Sequence, residues 1–264
     1  MIPIGVYPLS EGTFTIAGDH IFVPFDHQHD HIKDRPASLL VEIQPFLVVT
    51  ASDYILIDPG LGFHLANGPL QIHEALLRLN VQPTQITKVL LSHLHIDHAG
   101  GVVQQVLENG EWKWLPTFPN ATYYFQQQEW DFAQQKGYPS YDINRLNALR
   151  EQGHCKVMQG DEWISTYIEA SICGGHTPYH QVFKIHSNNT IYFYGGDVVP
   201  QFSQLQRKFV AKYDYDGALA AELRKAYAKQ AVQENWVCLF FHDIRTPYCK
   251  ITETHGTYKA SAAN

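Results

Sequence analysis

Residues 93–98 read His-Leu-His-Ile-Asp-His, and no other stretch limits what this chain can fold into so tightly. In an extended segment, residues two apart point the same way, so His93 and His95 can grip one cation. Asp97 and His98 follow where the chain turns towards Ala99-Gly100-Gly101, and they can serve a second cation. Neutral imidazole and carboxylate are the ligands that suit Zn²⁺, Fe²⁺ or Mn²⁺. The apolar run Val89-Leu90-Leu91 reads as a strand, which puts the motif at a strand's C-terminal end.

Three further residues share that grammar of apolar strand followed by ligand-type side chain. His176 lies in Gly174-Gly175-His176-Thr177-Pro178 after the run 167–173. Asp197 closes Tyr194-Gly195-Gly196-Asp197 after a strand over 190–194, and His242 follows Val237 to Phe241. Together they add a third histidine, a carboxylate able to bridge, and a fourth donor, which completes two sites.

Composition narrows the setting. The 264 residues are 45% hydrophobic and only 17% charged, so the chain is globular rather than disordered. It carries 19 Lys+Arg against 26 Asp+Glu, a formal charge of −7 without basic clusters, which argues against a nucleic-acid partner. No apolar run approaches the roughly 18 residues of a membrane helix, and the N-terminus lacks a basic segment and a continuous apolar one, so neither membrane nor export is expected. Cys155, Cys173, Cys238 and Cys249 are scattered and include no C-x-x-C. They read as small buried residues of a reducing compartment, and a cytoplasmic location is expected.

Strands are expected over 38–50 and 54–57, with a turn at Asp58-Pro59-Gly60. A helix is expected over 70–80, and another over 216–232 with Asp216 as its N-cap. Strands in both halves with helices between imply two sheets covered by outer helices. No linker divides the chain, so one domain over 1–264 is expected. The stretch of about 103–166, rich in Trp, Tyr, Phe and Gln, reads as an insertion packed beside the site.

On these motifs the chain resembles the metallo-β-lactamase superfamily over roughly 38–245. The resemblance implies an α/β (α+β) fold, a four-layer αββα sandwich of two mixed β-sheets flanked by helices, with the metal site at the sheet edge. It implies that His93, His95 and His176 hold a first ion, that Asp97, His98 and His242 hold a second, and that Asp197 bridges them. Two divalent ions are implied, zinc above all, with iron or manganese as alternatives. Asp58 matches the strand-end Asp that supports the metal loop, and His180, four residues after His176, takes a similar supporting role. The implied reaction is hydrolysis of an ester, lactone or related small-molecule bond by a hydroxide held between the ions. A glyoxalase-II-like thioesterase or a mononuclear-iron persulfide dioxygenase is the alternative. Chain length excludes the branch with an added nuclease domain, and zinc β-lactamases generally lack counterparts of His98 and Asp197. YYFQQQEWDFA (123–133) and KYDYDGALAAELRK (212–225) resemble elements of the lactonase and organophosphate-hydrolase groups. One departure stands out: the family's GHTPGH is GHTPYH here, which brings Tyr179 to the metal mouth. Acyl-homoserine lactonases often carry a Tyr after the bridging Asp, where this chain has Val198-Val199-Pro200, so that role is unfilled unless Tyr179 or Tyr194 supplies it, which counts against a quorum-signal lactonase in particular. Asp97 and a metal-bound water are alternative proton donors to the leaving group. His27, His29 and His31 read as a solvated or substrate-rim loop; His20, His64, His73, His154, His186 and His255 have no recognisable context. A homodimer is also implied.

Overall fold

The computed structural model describes residues 2–17, 21–35, 39–66, 68–152, 154–207 and 209–263, so His20 lies outside the described residues. Its chain falls into two compact units, residues up to 125 with 131–156, and 126–130 with 157–264.

The first unit contains β1 (Gly5–Pro8), β2 (Gly12–Ile16), β3 (Phe22–Pro24), β4 (Leu39–Ile43), β5 (Phe46–Val49), β6 (Tyr54–Ile57), α1 (Gln71–Arg78), β7 (Lys88–Leu90) and α2 (Ile96–Ala99). It continues through β8 (Val103–Glu108), β9 (Glu111–Pro116), β10 (Thr122–Gln126), α3 (Gln127–Lys136), α4 (Ile143–Glu151) and β11 (Cys155–Met158), of which α3 and the ends of β10 and β11 straddle the boundary. Its main sheet is mixed, in the order β1-β5-β6-β7-β10-β11, beside a small β3-β2-β4 sheet and the β8–β9 ribbon. The β6–β7 and β7–β10 pairings are parallel and buried, as near-continuous apolar runs such as Ile55-Leu56-Ile57 demand.

The run 38–50 is two strands rather than one. Pro45 has no N–H to give a ladder, and the chain breaks there, so that β4 joins the small sheet and β5 the main one. The helix expected over 70–80 is α1, burying Ile72 and Leu76 one turn apart. The aromatic stretch 103–166 contributes to the main sheet as well as lying beside it: β10 pairs with β7, and Tyr123 and Phe125 are buried. Its first part is a hairpin turned at Asn109 (φ 53°) and Gly110 (φ 84°), the left-handed pair that a two-residue turn between right-twisted strands requires.

The second unit holds β12 (Glu162–Ser165), β13 (Ile168–Ile172), β14 (Gln181–Ser187), β15 (Thr190–Tyr194), α5 (Gly217–Gln233), β16 (Val237–Leu239), β17 (Tyr248–Thr254) and β18 (Thr257–Ser261). The seven strands form one sheet in sequence order, antiparallel except for β15–β16. The α5 crossover makes that parallel step possible and packs Ala228 and Ala231 into a core with Phe193, Trp236 and Phe240. Phe193 and Trp236 stack at 4.8 Å between centroids. Asp216 caps α5 as expected, accepting from the Leu219 N–H at 3.0 Å. Among the described residues no helix is long and apolar enough to cross a membrane.

Candidate metal centre

The motif of the first unit begins where β7 ends. Leu91 still bonds to Tyr124 of the neighbouring strand, and the chain then leaves the sheet extended through Ser92-His93-Leu94-His95. Leu94 points into the core at 1% exposure, so His93 and His95 share the opposite side. One helical turn, α2, then carries Asp97 and His98, both buried.

Two glycines let this loop lie against the turn after β6. A Cβ on Gly101 would fall 2.3 Å from the Pro59 carbonyl oxygen, and one on Gly100 2.3 Å from that of Leu61. The Gly101 N–H bonds to the Gly60 carbonyl at 2.9 Å, and the Arg145 guanidinium clamps the Leu61 and Gly100 carbonyls from α4. Asp58, at φ 46° and fully buried, is thereby held beneath the motif.

That carboxylate sets the proton positions. Asp58 accepts from the Ser92 N–H at 2.8 Å, from the Ser92 hydroxyl at 2.5 Å and from His98 Nδ1 at 2.8 Å. With the Ser92 proton given to Asp58, Ser92 Oγ accepts from His93 Nδ1 at 3.1 Å. Both imidazoles therefore carry their proton on Nδ1 and present a bare Nε2, the form a metal needs. His93 Nε2 lies 3.0 Å from His95 Nδ1, close to the ~3.3 Å that separates two ligand nitrogens on a tetrahedral ion at about 2.0–2.1 Å. His98 Nε2 lies 3.5 Å from Asp97 Oδ2. Tyr141, from the aromatic stretch, packs its ring on His95 at 4.8 Å. Asp58, His93 and His98 each offer a ligand atom within 4.8 Å of the others, so buried oxygen and nitrogen donors of borderline hardness converge in this unit.

The second unit gathers its own set. Asp197 lies on a single turn after β15, with Oδ2 3.3 Å from His176 Nε2 and Oδ1 3.1 Å from His242 Nε2. One carboxylate thus divides its two oxygens between imidazoles from different loops. His176 gives its Nδ1 proton to Asp214 Oδ1 at 2.9 Å, and Asp214 Oδ2 takes the Ala211 N–H at 2.9 Å. His180, fully buried, accepts the Asp197 N–H at Nε2 (3.2 Å), so its own proton sits on Nδ1, facing Cys173 Sγ at 3.3 Å. Burial pushes the Cys173 thiol up to about 12, so it stays a neutral partner. Arg224, 3% exposed, donates Nε–H to the Val198 carbonyl and a second N–H to that of Phe209, both at 2.9 Å, pinning the Asp197 turn to α5. Tyr179 is half-buried beside this loop, whereas Tyr194 is fully buried in β15 against Phe241.

The sequence motifs had not singled out Asp214, Arg224 or Glu11. Asp214 and Arg224 stand inside KYDYDGALAAELRK, where the buried side chain of Asp214 serves a histidine 38 residues away. Glu11 accepts the Leu61 N–H at 2.8 Å beneath the Asp58 turn, and burial pushes its carboxyl up to about 8. His27, His29 and His31 do not converge: His27 bonds Thr13 at 3.0 Å, and His29 pairs with Asp26 at 2.7 Å, all in solvent.

A model of the metallo-beta-lactamase superfamily matches residues 42–154. An N-acyl homoserine lactonase of Bacillus sp is 24% identical over 261 residues, covering 87% of this chain and 95% of its own. Among solved structures, a probable metal-dependent hydrolase from Staphylococcus aureus reaches a TM-score of 0.74 at 20% identity over 99% of this chain and 98% of that one. A dizinc quorum-quenching lactonase, solved with a product, does the same at 20% identity over 100% and 96%. The shared fold is the mixed α/β arrangement of several sheets and few helices that the sequence implied. The family model spans the segment that carries the 93–98 motif, and the fold of the whole chain is similar to those of the metal-dependent hydrolase and the lactonase.

Proposed function

We propose that the two ligand clusters serve one dinuclear centre at which the protein hydrolyses a small ester, with a lactone as the preferred form. The observation that carries this reading is Asp197, whose two oxygens face His176 and His242 separately, so that one carboxylate stands between donors of both sets. In this reading His93, His95 and His176 would hold one ion, Asp97, His98 and His242 the other, and Asp197 both. Zinc is favoured by the histidine-rich donor set and by the dizinc relative. Bound there, the ions would supply Lewis acidity towards a carbonyl oxygen and a water acidified to a nucleophile near neutral pH.

The chain's own residues do the rest. Asp58 and Asp214 fix the Nδ1 protons of His98 and His176, and His180 fixes the backbone of Asp197. The Tyr179 phenol donates to the oxygen on which charge develops as the acyl carbon becomes tetrahedral, the part that Val198 and Val199 cannot play. Asp97 carries the proton that the departing alkoxide takes up, so that water is added across the acyl C–O bond to give a carboxylate and an alcohol. The lactonase relatives support a cyclic ester, and the modest charge and aromatic surroundings of the first unit suit an uncharged, apolar-flanked substrate.

The test is turnover of a panel of lactones, aryl esters, thioesters and phosphotriesters by protein of known metal content. Ring opening of a lactone, with Tyr179→Phe lowering kcat at least tenfold while metal content holds, is expected. Full metal content without turnover of any carboxylic ester would overturn the reading.

A further inference from the structure

In the second unit, between residues 204–207 and α5, lies a cavity of about 120 Å³ that the hydrolytic reading does not use. Its lining includes Arg207, Arg224 and Lys225 together with Gln204 and Gln206. Three cationic side chains around so small a space favour an anion there, because like charges held together repel. Part of that compensation for Arg224 comes from Asp197 and Asp214, which act on its guanidinium by charge. Arg207 and Lys225 are exposed on the rim, while Arg224 forms the buried floor.

A second observation comes from Gln204. Gln204 is 9% exposed, and its Nε2 reaches Gln201 Oε1 at 3.5 Å. Among the described residues its Oε1 has no hydrogen-bond partner. A buried acceptor left without a donor costs roughly 1–3 kcal/mol, so its place in the wall of a cationic cavity asks for a ligand that donates. Gln206 is committed elsewhere, donating to the Tyr258 carbonyl.

We infer that this cavity is a phosphate site. A tetrahedral oxyanion fits the volume, and its charged oxygens accept from Arg207, Arg224 and Lys225. Near neutral pH inorganic phosphate keeps a P–OH, which donates to Gln204 Oε1; sulfate has no such proton and leaves the oxygen unsatisfied. The site therefore selects phosphate over sulfate. It adjoins the metal loop through Arg224, whose Nε–H holds Val198, the residue after Asp197.

The experiment is equilibrium dialysis of the metal-loaded protein against inorganic phosphate, with sulfate and arsenate as competitors. Arsenate, protonated like phosphate, is expected to compete, and sulfate to compete at least tenfold less well. The Arg207→Gln/Lys225→Gln variant removes only exposed side chains, and is expected to bind phosphate at least tenfold more weakly with unchanged metal content and Tm. Gln204→Met is expected to erase the preference over sulfate. Unchanged binding in the double variant would place the phosphate at the metal centre and overturn the site. Equal competition by sulfate in the wild type would overturn the role of Gln204 and the ligand assignment.

Discussion

Asp214→Asn tests most sharply how the second ligand set is held. The carboxylate is almost fully buried and accepts twice, from His176 Nδ1 and from the Ala211 N–H, each at 2.9 Å. An amide of the same shape has one oxygen. Its NH2 must face one of the two donors, which leaves a buried donor unpaired or turns the His176 ring to its other tautomer. The charge that would make the His176 imidazole a better ligand in the proposed centre is lost at the same time. Substitutions of such supporting groups weaken metal binding about 10–100-fold, which is about 1.4–2.8 kcal/mol. Competition of a coloured chelator for the bound metal reads this directly, and thermal unfolding separates it from loss of fold. Asp216→Ala is the control, because it removes only the α5 cap, at a cost of about 1 kcal/mol in stability without change in metal affinity. Metal affinity within twofold of wild type in Asp214→Asn would refute the reasoning.

Three further outcomes are expected. Glu11 keeps its proton in the folded protein up to about pH 8, whereas the unfolded chain gives it up near 4.5. Unfolding therefore releases a proton between those values, and stability falls as pH rises through that window; denaturant titrations of Glu11→Gln are expected to show a flatter profile than wild type over pH 5–8, and identical slopes would contradict this. Gly101→Ala drives a methyl against the Pro59 carbonyl and is expected to cost about 1–3 kcal/mol in chemical denaturation and to reduce metal content; wild-type stability would show that the two loops are not in tight contact. Exhaustive chelation is expected to lower Tm reversibly, with zinc restoring it, because ions held by folded ligands stabilise by mass action.

What was legible in the sequence was the part written locally. The motif at 93–98, Asp58 after β6, and His176, Asp197 and His242 after their strands all follow one rule, because a strand's end is where a side chain leaves the sheet on a short, well-fixed loop. The helix capped by Asp216 and the strands 168–172 and 190–194 were legible for the same reason: period and cap act within a few residues. What serves the candidate ligands from afar was not. Asp214 reaches His176 across 38 residues, and Glu11 reaches Leu61 across 50, and a lone acid in a loop has no periodicity to betray it. The hairpin at Asn109-Gly110 did carry a signal, a two-residue left-handed turn, but the aromatic richness around it masked the strands. The break at Pro45 was likewise written in the chain, in the one residue of that run that cannot donate to a sheet.

The central claim is that Asp197 joins two ligand sets into one dinuclear centre. Metal equivalents per chain, measured by plasma mass spectrometry on wild type and on His242→Ala, test it most directly. The account predicts about two divalent ions in the wild type and about one in the variant, with the fold intact. A single ion in both proteins, iron in particular, would contradict it.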